Sequence, residues 1–64
     1  MMTYLKLVRL GQGLRQWELA QKIGISHTKL SMIETGRLQP TDDIKKACAK
    51  VLKVPVKALF KEQR

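Results

Sequence analysis

The chain has 64 residues, 44% of them hydrophobic, and carries 13 Lys and Arg against five Asp and Glu, for a formal net charge of +8. This hydrophobic content argues against disorder, and the length allows a single domain with a small core. Such a positive excess favours a polyanionic partner, although a basic surface that only aids solubility would give the same count. We expect one domain over residues 1–64, with a frayed tail at 61–64.

Several classes of protein and site are disfavoured by composition. Cys48 is the sole cysteine and His27 the sole histidine, so no internal disulfide or site of several thiolates can form. The N-terminal stretch lacks a signal peptide's features, and no run reaches the roughly 20 apolar residues that span a bilayer. These residues cannot provide the nucleophile, base and orienting acid that a catalytic site of that kind requires. We expect a cytoplasmic protein that is not an enzyme and has no metal, cofactor, small-molecule ligand or membrane contact.

Glycine and proline divide the chain into five short pieces. In most pieces apolar residues recur at spacings of three and four, and β-branched residues nowhere alternate as they do in strands. The pattern predicts a compact all-α domain of five helices. Their predicted ranges are 3–10, 16–23, 27–35, 42–52 and 56–60.

Helix 1 is apolar on more than one side. Leu5 and Val8 share one face, which we assign to the core. The remaining apolar residues, which cannot share that stripe, are Tyr4, Leu7 and Leu10. Either helix 1 is buried over a wide arc, which we expect, or it offers a contact surface.

Helix 2 directs Leu19, Ala20 and Ile23 inward. Its N-cap position holds Arg15, which has no acceptor oxygen, so we expect a weak helix start supported only by Glu18 at the capping-box position. The next glycine, at position 24, is suited to the left-handed residue that ends a helix.

Helix 3 begins after Ser26, a good N-cap, and directs Leu30 and Ile33 inward. Only Gly24, Ile25 and Ser26 separate it from helix 2. So short a link suits two helices that cross steeply, which is the geometry of a helix-turn-helix unit.

The outward positions of helix 3 are His27, Thr28, Lys29 and Met32, with Ser31 on the flank. A helix can enter the major groove only when one face packs on a scaffold and the opposite face is free. His27 and Thr28 can donate or accept hydrogen bonds, Lys29 can reach guanine O6 or N7, and Met32 can touch a thymine methyl. We expect these four to contact base edges.

Helix 4 has the clearest pattern, with Thr41 as N-cap and acidic residues in its first turn. Its apolar stripe comprises Ile44, Ala47, Cys48, Val51 and Leu52. A small thiol on such a stripe is a core residue rather than a nucleophile. Helix 5 is a short piece after Pro55.

The segment 14–37, LRQWELAQKIGISHTKLSMIETGR, resembles the Cro and phage-repressor type of helix-turn-helix, the XRE family. The likeness lies in Leu19-Ala20, the Gly24-Ile25-Ser26 turn, Leu30 and Ile33, and the closing Glu34-x-Gly36. Residues 40–60 resemble the family's helices 4 and 5, so the likeness covers nearly the whole chain. It implies a lambda-repressor-like fold in which helices 2 and 3 form the helix-turn-helix.

The resemblance also implies roles for residues outside the recognition helix. Arg9 would form an ion pair with Glu34. Phosphate contacts would lie at the start of helix 2 and after helix 3, and the residues assigned to them are Gln16, Trp17, Ser26, Ser31, Arg37 and Gln39. Trp17 could instead cover Leu14 and helix 1 by packing.

The function implied is a transcriptional regulator, in particular a repressor, that binds double-stranded DNA as a homodimer on an approximately palindromic operator. By resemblance, the dimer contact would involve Val56, Leu59 and Phe60, although Leu59 could belong to the core. The alternative is a protein-interaction module, such as an antitoxin or a recombination accessory protein of a mobile element, which would bind its partner through helix 1.

Overall fold

The computed structural model describes residues 4–60, which form five helices. Their bounds are α1 Tyr4–Gly11, α2 Gln16–Ile23, α3 His27–Glu34, α4 Asp42–Leu52 and α5 Val56–Leu59. No strand occurs between residues 4 and 60, so the predicted all-α class with five helices is confirmed. The predicted helix ends agree to within one residue, while the expected start at residue 3 and the tail 61–64 lie outside the described residues.

All five helices contribute to one core. The buried apolar residues are Leu5, Leu19, Ala20, Leu30, Ile33, Ile44, Cys48, Leu52 and Leu59. α2 packs against both α3 and α4, and α5 packs against α4 and α1. Helices of this length are marginal alone in water, and each large buried side chain contributes about 1.5–3 kcal/mol, so tertiary packing holds them.

The turn between α2 and α3 fixes the position of α3. Gly24 has φ of 80°, a left-handed conformation, and the backbone N–H groups of Gly24 and Ile25 donate to the Ala20 carbonyl at 2.9 and 3.0 Å. Ser26 Oγ then accepts from the Lys29 backbone N–H at 3.0 Å and caps α3. Three residues therefore suffice to end one helix and begin the next.

The start of α2 depends on Glu18. The Arg15 backbone N–H donates to Glu18 Oε1 at 2.8 Å, which is one half of a capping box. The other half needs a side-chain acceptor at the N-cap, which Arg15 cannot provide. The helix start therefore relies on a carboxylate that also carries a favourable charge in the first turn.

The end of α4 departs from the usual glycine cap. Lys53 adopts the left-handed region with φ of 60°, a conformation that costs a residue with a side chain roughly 1–2 kcal/mol. Gln12, in the turn after α1, donates from Nε2 to the Leu52 carbonyl at 2.7 Å and satisfies one of the terminal carbonyls. This bond ties the turn between α1 and α2 to the end of α4.

The outer face of α1 is exposed, and our expectation of wide burial was wrong. The exposed fractions of Tyr4, Leu7 and Leu10 are 46%, 55% and 54%. On α1 only Leu5 and Arg9, one turn apart, are buried, so a polar side chain occupies the second inward position. Within residues 4–60 no helix is both long and apolar enough to cross a membrane.

Candidate nucleic-acid interface

The outer face of α3 is free of protein contacts that would cover it. His27, Thr28, Lys29 and Met32 are all exposed, and Ser31 beside them is half-buried. On the opposite face Leu30 and Ile33 are sealed in the core. The four side chains expected to reach base edges thus lie together on the accessible side of a helix whose other side is fixed.

The other predicted DNA contacts flank this face along the chain. Ser26, Arg37 and Gln39 are exposed, Gln16 is half-buried, and Trp17 is 51% exposed. Ser26 uses its oxygen as an acceptor for the α3 cap, which leaves its hydroxyl hydrogen free to donate. The half-exposed indole of Trp17 is compatible with both roles considered for it.

A buried ion pair connects α1 to α3. Arg9 Nε lies 2.7 Å from Glu34 Oε2, and Arg9 Nη2 lies 3.1 Å from Oε1, which forms a bidentate fork. Arg9 Nη1 also donates to the Leu14 carbonyl at 2.8 Å. The side chains are 5% and 1% exposed, so both charges are almost fully withdrawn from water. The pair holds the last turn of α3 against the scaffold.

Gln16 links this ion pair to the outer face of α3. Its Nε2 donates to Glu34 Oε1 at 2.9 Å, and its Oε1 lies 2.6 Å from His27 Nε2. Sequence reasoning placed Gln16 and His27 separately at the interface and missed that they bond to each other. For this hydrogen bond the sequence offered only the expected proximity of the starts of α2 and α3, which does not specify which side chains are partners.

Cys48 is a core residue. It is fully buried, and desolvation by burial, followed by the negative charge of Glu34, raises the pKa of its thiol from 9.0 to about 11. The thiolate is the nucleophile and the metal ligand, so this environment suits neither chemistry near neutral pH. Among residues 4–60 no group of three His, Cys, Asp or Glu side chains could hold a metal ion.

One predicted dimer residue requires correction. Leu59 is fully buried in the core of the chain itself, so it cannot form part of a contact surface without unfolding α5. Val56 and Phe60 are half-buried and retain some accessible area. Leu59 occupies the inward position of a one-turn helix, the alternative considered for it above.

Comparison with known families identifies the architecture. A helix-turn-helix family profile matches residues 5–59, which is most of the chain. The chain belongs to the XRE-type helix-turn-helix family. The resemblance inferred from segment 14–37 is thereby confirmed, and the family supports a DNA-binding transcription regulator. Proteins of this family are typically not enzymes.

Two solved structures share the fold of this XRE-type domain. The clp gene regulator ClgR from Corynebacterium glutamicum has a TM-score of 0.80 and 26% identity, covering 83% of this chain and 56% of ClgR. A SinR protein/SinI protein complex matches with a TM-score of 0.82 and 32% identity, covering 91% of this chain and 57% of that chain. The chain thus spans less than two thirds of either. The comparison with curated proteins found no significant match.

Proposed function

We propose that this chain is a sequence-specific regulator of transcription, acting as a repressor in the cytoplasm, that reads the major groove of double-stranded DNA with α3. The exposed face formed by His27, Thr28, Lys29 and Met32 carries this proposal. It is polar or flexible throughout, and it lies opposite a packed face, as groove entry requires.

The flanking residues support the same orientation. Gln16 keeps one N–H of its amide free, because an amide has two and only one is used toward Glu34. Arg37 and Gln39 are exposed directly after α3. Phosphate contacts on both sides of a recognition helix would set its register in the groove, while the helix itself reads the bases.

A homodimer on an approximately palindromic operator completes the proposal. Two copies would place two α3 helices one DNA turn apart, and the half-buried Val56 and Phe60 would supply accessible apolar atoms to the dimer contact. Sedimentation velocity, with and without operator, measures the stoichiometry. A single copy bound per operator at saturating protein would exclude the dimer.

Selection of bound fragments from random duplex DNA tests the main proposal. We expect enrichment of one approximately palindromic sequence, and we expect Thr28→Ala and Lys29→Ala each to lose about 1–3 kcal/mol of discrimination at one base position. Lys46→Ala is the matched control, because it removes a lysine that is also exposed but belongs to α4. Failure to enrich any sequence, or an equal loss in the control, would contradict groove reading by α3.

The exposed apolar side chains on the outer face of α1 favour a second candidate function. Tyr4, Leu7 and Leu10 are each about half exposed, as a protein-binding surface would require. SinR was solved with the SinI protein, so a protein partner has a precedent among the structural neighbours. This candidate is an antitoxin or a recombination accessory protein.

Transcription reconstituted from purified components separates the two candidates. With the selected operator placed over a promoter, the chain and RNA polymerase alone should give repression if the first proposal holds. DNA binding without repression would favour the second candidate, a protein-interaction module that acts through a protein partner.

A further inference from the structure

Four side chains from three helices form a continuous hydrogen-bonded row that runs from the core to the outer face of α3. Arg9 donates to Glu34 at 2.7 Å, Gln16 Nε2 donates to Glu34 at 2.9 Å, and Gln16 Oε1 lies 2.6 Å from His27 Nε2. Arg9 and Glu34 are buried, Gln16 is half-buried, and His27 is exposed. The row therefore connects a fixed internal charge pair to a surface imidazole.

The direction of every bond in the row is fixed by its buried end. A guanidinium can only donate, so Glu34 paired with it is a carboxylate that can only accept. Gln16 must therefore turn its NH₂ group toward Glu34 and its oxygen toward His27. An oxygen needs a donor opposite it, so the Nε2 atom of His27 carries a proton.

This constraint holds in both charge states of the imidazole. The neutral Nε2–H tautomer and the imidazolium both donate to Gln16, whereas the neutral Nδ1–H tautomer does not. The ring consequently keeps one orientation when it is protonated, and only Nδ1 changes, from acceptor to donor. No residue between 4 and 60 forms a hydrogen bond with Nδ1.

We propose that His27 presents Nδ1 to the DNA and that protonation of this ring tightens DNA binding. This inference rests on the proposed function. The charged groups that face the ring through Gln16 are Glu34 of α3 and Arg9 of α1, which neutralise each other. The nearby chain adds Arg15 and Lys29, both exposed, so protonation adds a further positive charge and a donor to a basic surface that meets a polyanion.

Nuclear magnetic resonance without DNA tests the fixed tautomer. The chain has one histidine, so a long-range ¹H–¹⁵N spectrum contains a single imidazole and assigns the proton to one nitrogen. At about pH 8, where an ordinary imidazole is neutral, we expect the proton on Nε2. Gln16→Leu removes the acceptor and should give a mixture of tautomers. A dominant Nδ1–H form in the unsubstituted chain would contradict the assignment of the proton to Nε2 of His27.

Measuring DNA binding as a function of pH tests whether protonation of His27 tightens DNA binding. At constant ionic strength the Kd for the selected operator should fall roughly three- to tenfold from about pH 8 to about pH 5.5, a range in which histidine is the ordinary titrating side chain. His27→Gln keeps a donor for Gln16 but cannot gain a proton, so its Kd should vary less than twofold over this range.

The outcomes distinguish this inference from the function on which it rests. Tight binding whose Kd does not change with pH, or the same pH dependence in His27→Gln, would overturn the role of His27 and leave the regulator intact. The absence of binding to any selected duplex at either pH would refute the regulator itself. Thermal unfolding of each variant at both pH values separates lost contacts from lost folding.

Discussion

Glu34 is a buried charged residue at the contact of three helices. Its carboxylate is 1% exposed and accepts three hydrogen bonds, two from Arg9 and one from Gln16. Three donors compensate much of the cost of removing a negative charge from water. The same bonds join α1, α2 and α3, so this one side chain influences both stability and the geometry of the interface.

Replacing Glu34 with alanine should therefore be severely destabilising. We expect Glu34→Ala to lower the free energy of unfolding by about 3–5 kcal/mol, because it leaves the Arg9 guanidinium buried without its partner. Urea denaturation followed by circular dichroism measures the change. Adding Arg9→Ala to the Glu34→Ala variant should lower the free energy of unfolding by less than Arg9→Ala does alone, because the double variant has no unpaired buried charge from this pair.

The control for Glu34 is Asp43→Ala, which removes an exposed carboxylate from the first turn of α4. Its expected cost is about 0.3–1 kcal/mol, the usual contribution of a charge near a helix terminus. Equal costs for Glu34→Ala and Asp43→Ala would show that the buried pair contributes no more than a surface charge.

At the scale of the helices, the boundaries and the caps at Ser26, Thr41 and Gly24 were predictable because they depend on local chemistry, whereas the left-handed Lys53 at the end of α4 was not predicted. Ser26 and Thr41 accept hydrogen bonds from the third residue of the helices that follow, as their sequence positions indicated. Gly24 similarly ends α2 in a conformation that glycine adopts without penalty. Such features involve residues within four positions of each other, so the sequence pattern contains the relevant partners.

The exposed face of α1 and the row from Arg9 to His27 depend instead on how separate helices are placed. Gln16 and Glu34 are 18 positions apart, and Gln16 and His27 are 11 apart, so no local pattern pairs them. Resemblance suggested the Arg9–Glu34 pair because the family spacing covers both helices. Likewise, Tyr4, Leu7 and Leu10 are exposed because tertiary packing covers only one side of α1, which apolar periodicity alone does not reveal.

Two glycines offer a matched test of the turn. An added Cβ at either Gly11 or Gly24 would meet no atom within 4 Å, but only Gly24 has a positive φ. Gly24→Ala should therefore lower the free energy of unfolding by about 1 kcal/mol, while Gly11→Ala, at the end of α1, should raise it by about 0.4–1 kcal/mol. Thermal unfolding of both variants measures the two changes. Changes of the same sign would contradict backbone conformation as the cause.

At the scale of the whole molecule, charge governs the predicted affinity. The formal net charge is +8, and the Arg9–Glu34 pair contributes nothing to it because the two charges cancel inside the core. Within residues 4–60 every other Lys, Arg, Asp and Glu is at least partly exposed, and their positive excess would attract DNA irrespective of sequence. The composition predicted this attraction, but it could not assign the lysines of α4 and the cations near α3 to different roles.

The dependence of binding on salt should separate those roles. Each phosphate neutralised by the protein steepens the plot of log binding constant against log salt concentration by about 0.9. Arg37→Ala should make the slope about one unit shallower, because Arg37 is proposed to contact a phosphate. Lys46→Ala removes one charge from α4 and should leave the slope nearly unchanged. The same change of slope in both variants would indicate that charge acts without regard to position.

The buried thiol of Cys48 should allow an introduced, exposed cysteine to be labelled selectively. Cys48 is the sole cysteine, it is fully buried, and its pKa is raised to about 11, so it should react slowly with maleimides and similar reagents under native conditions. A cysteine introduced by Met32→Cys would be exposed and would be labelled selectively. A fluorophore or photo-crosslinker could then report from the outer face of α3 without removal of the native cysteine.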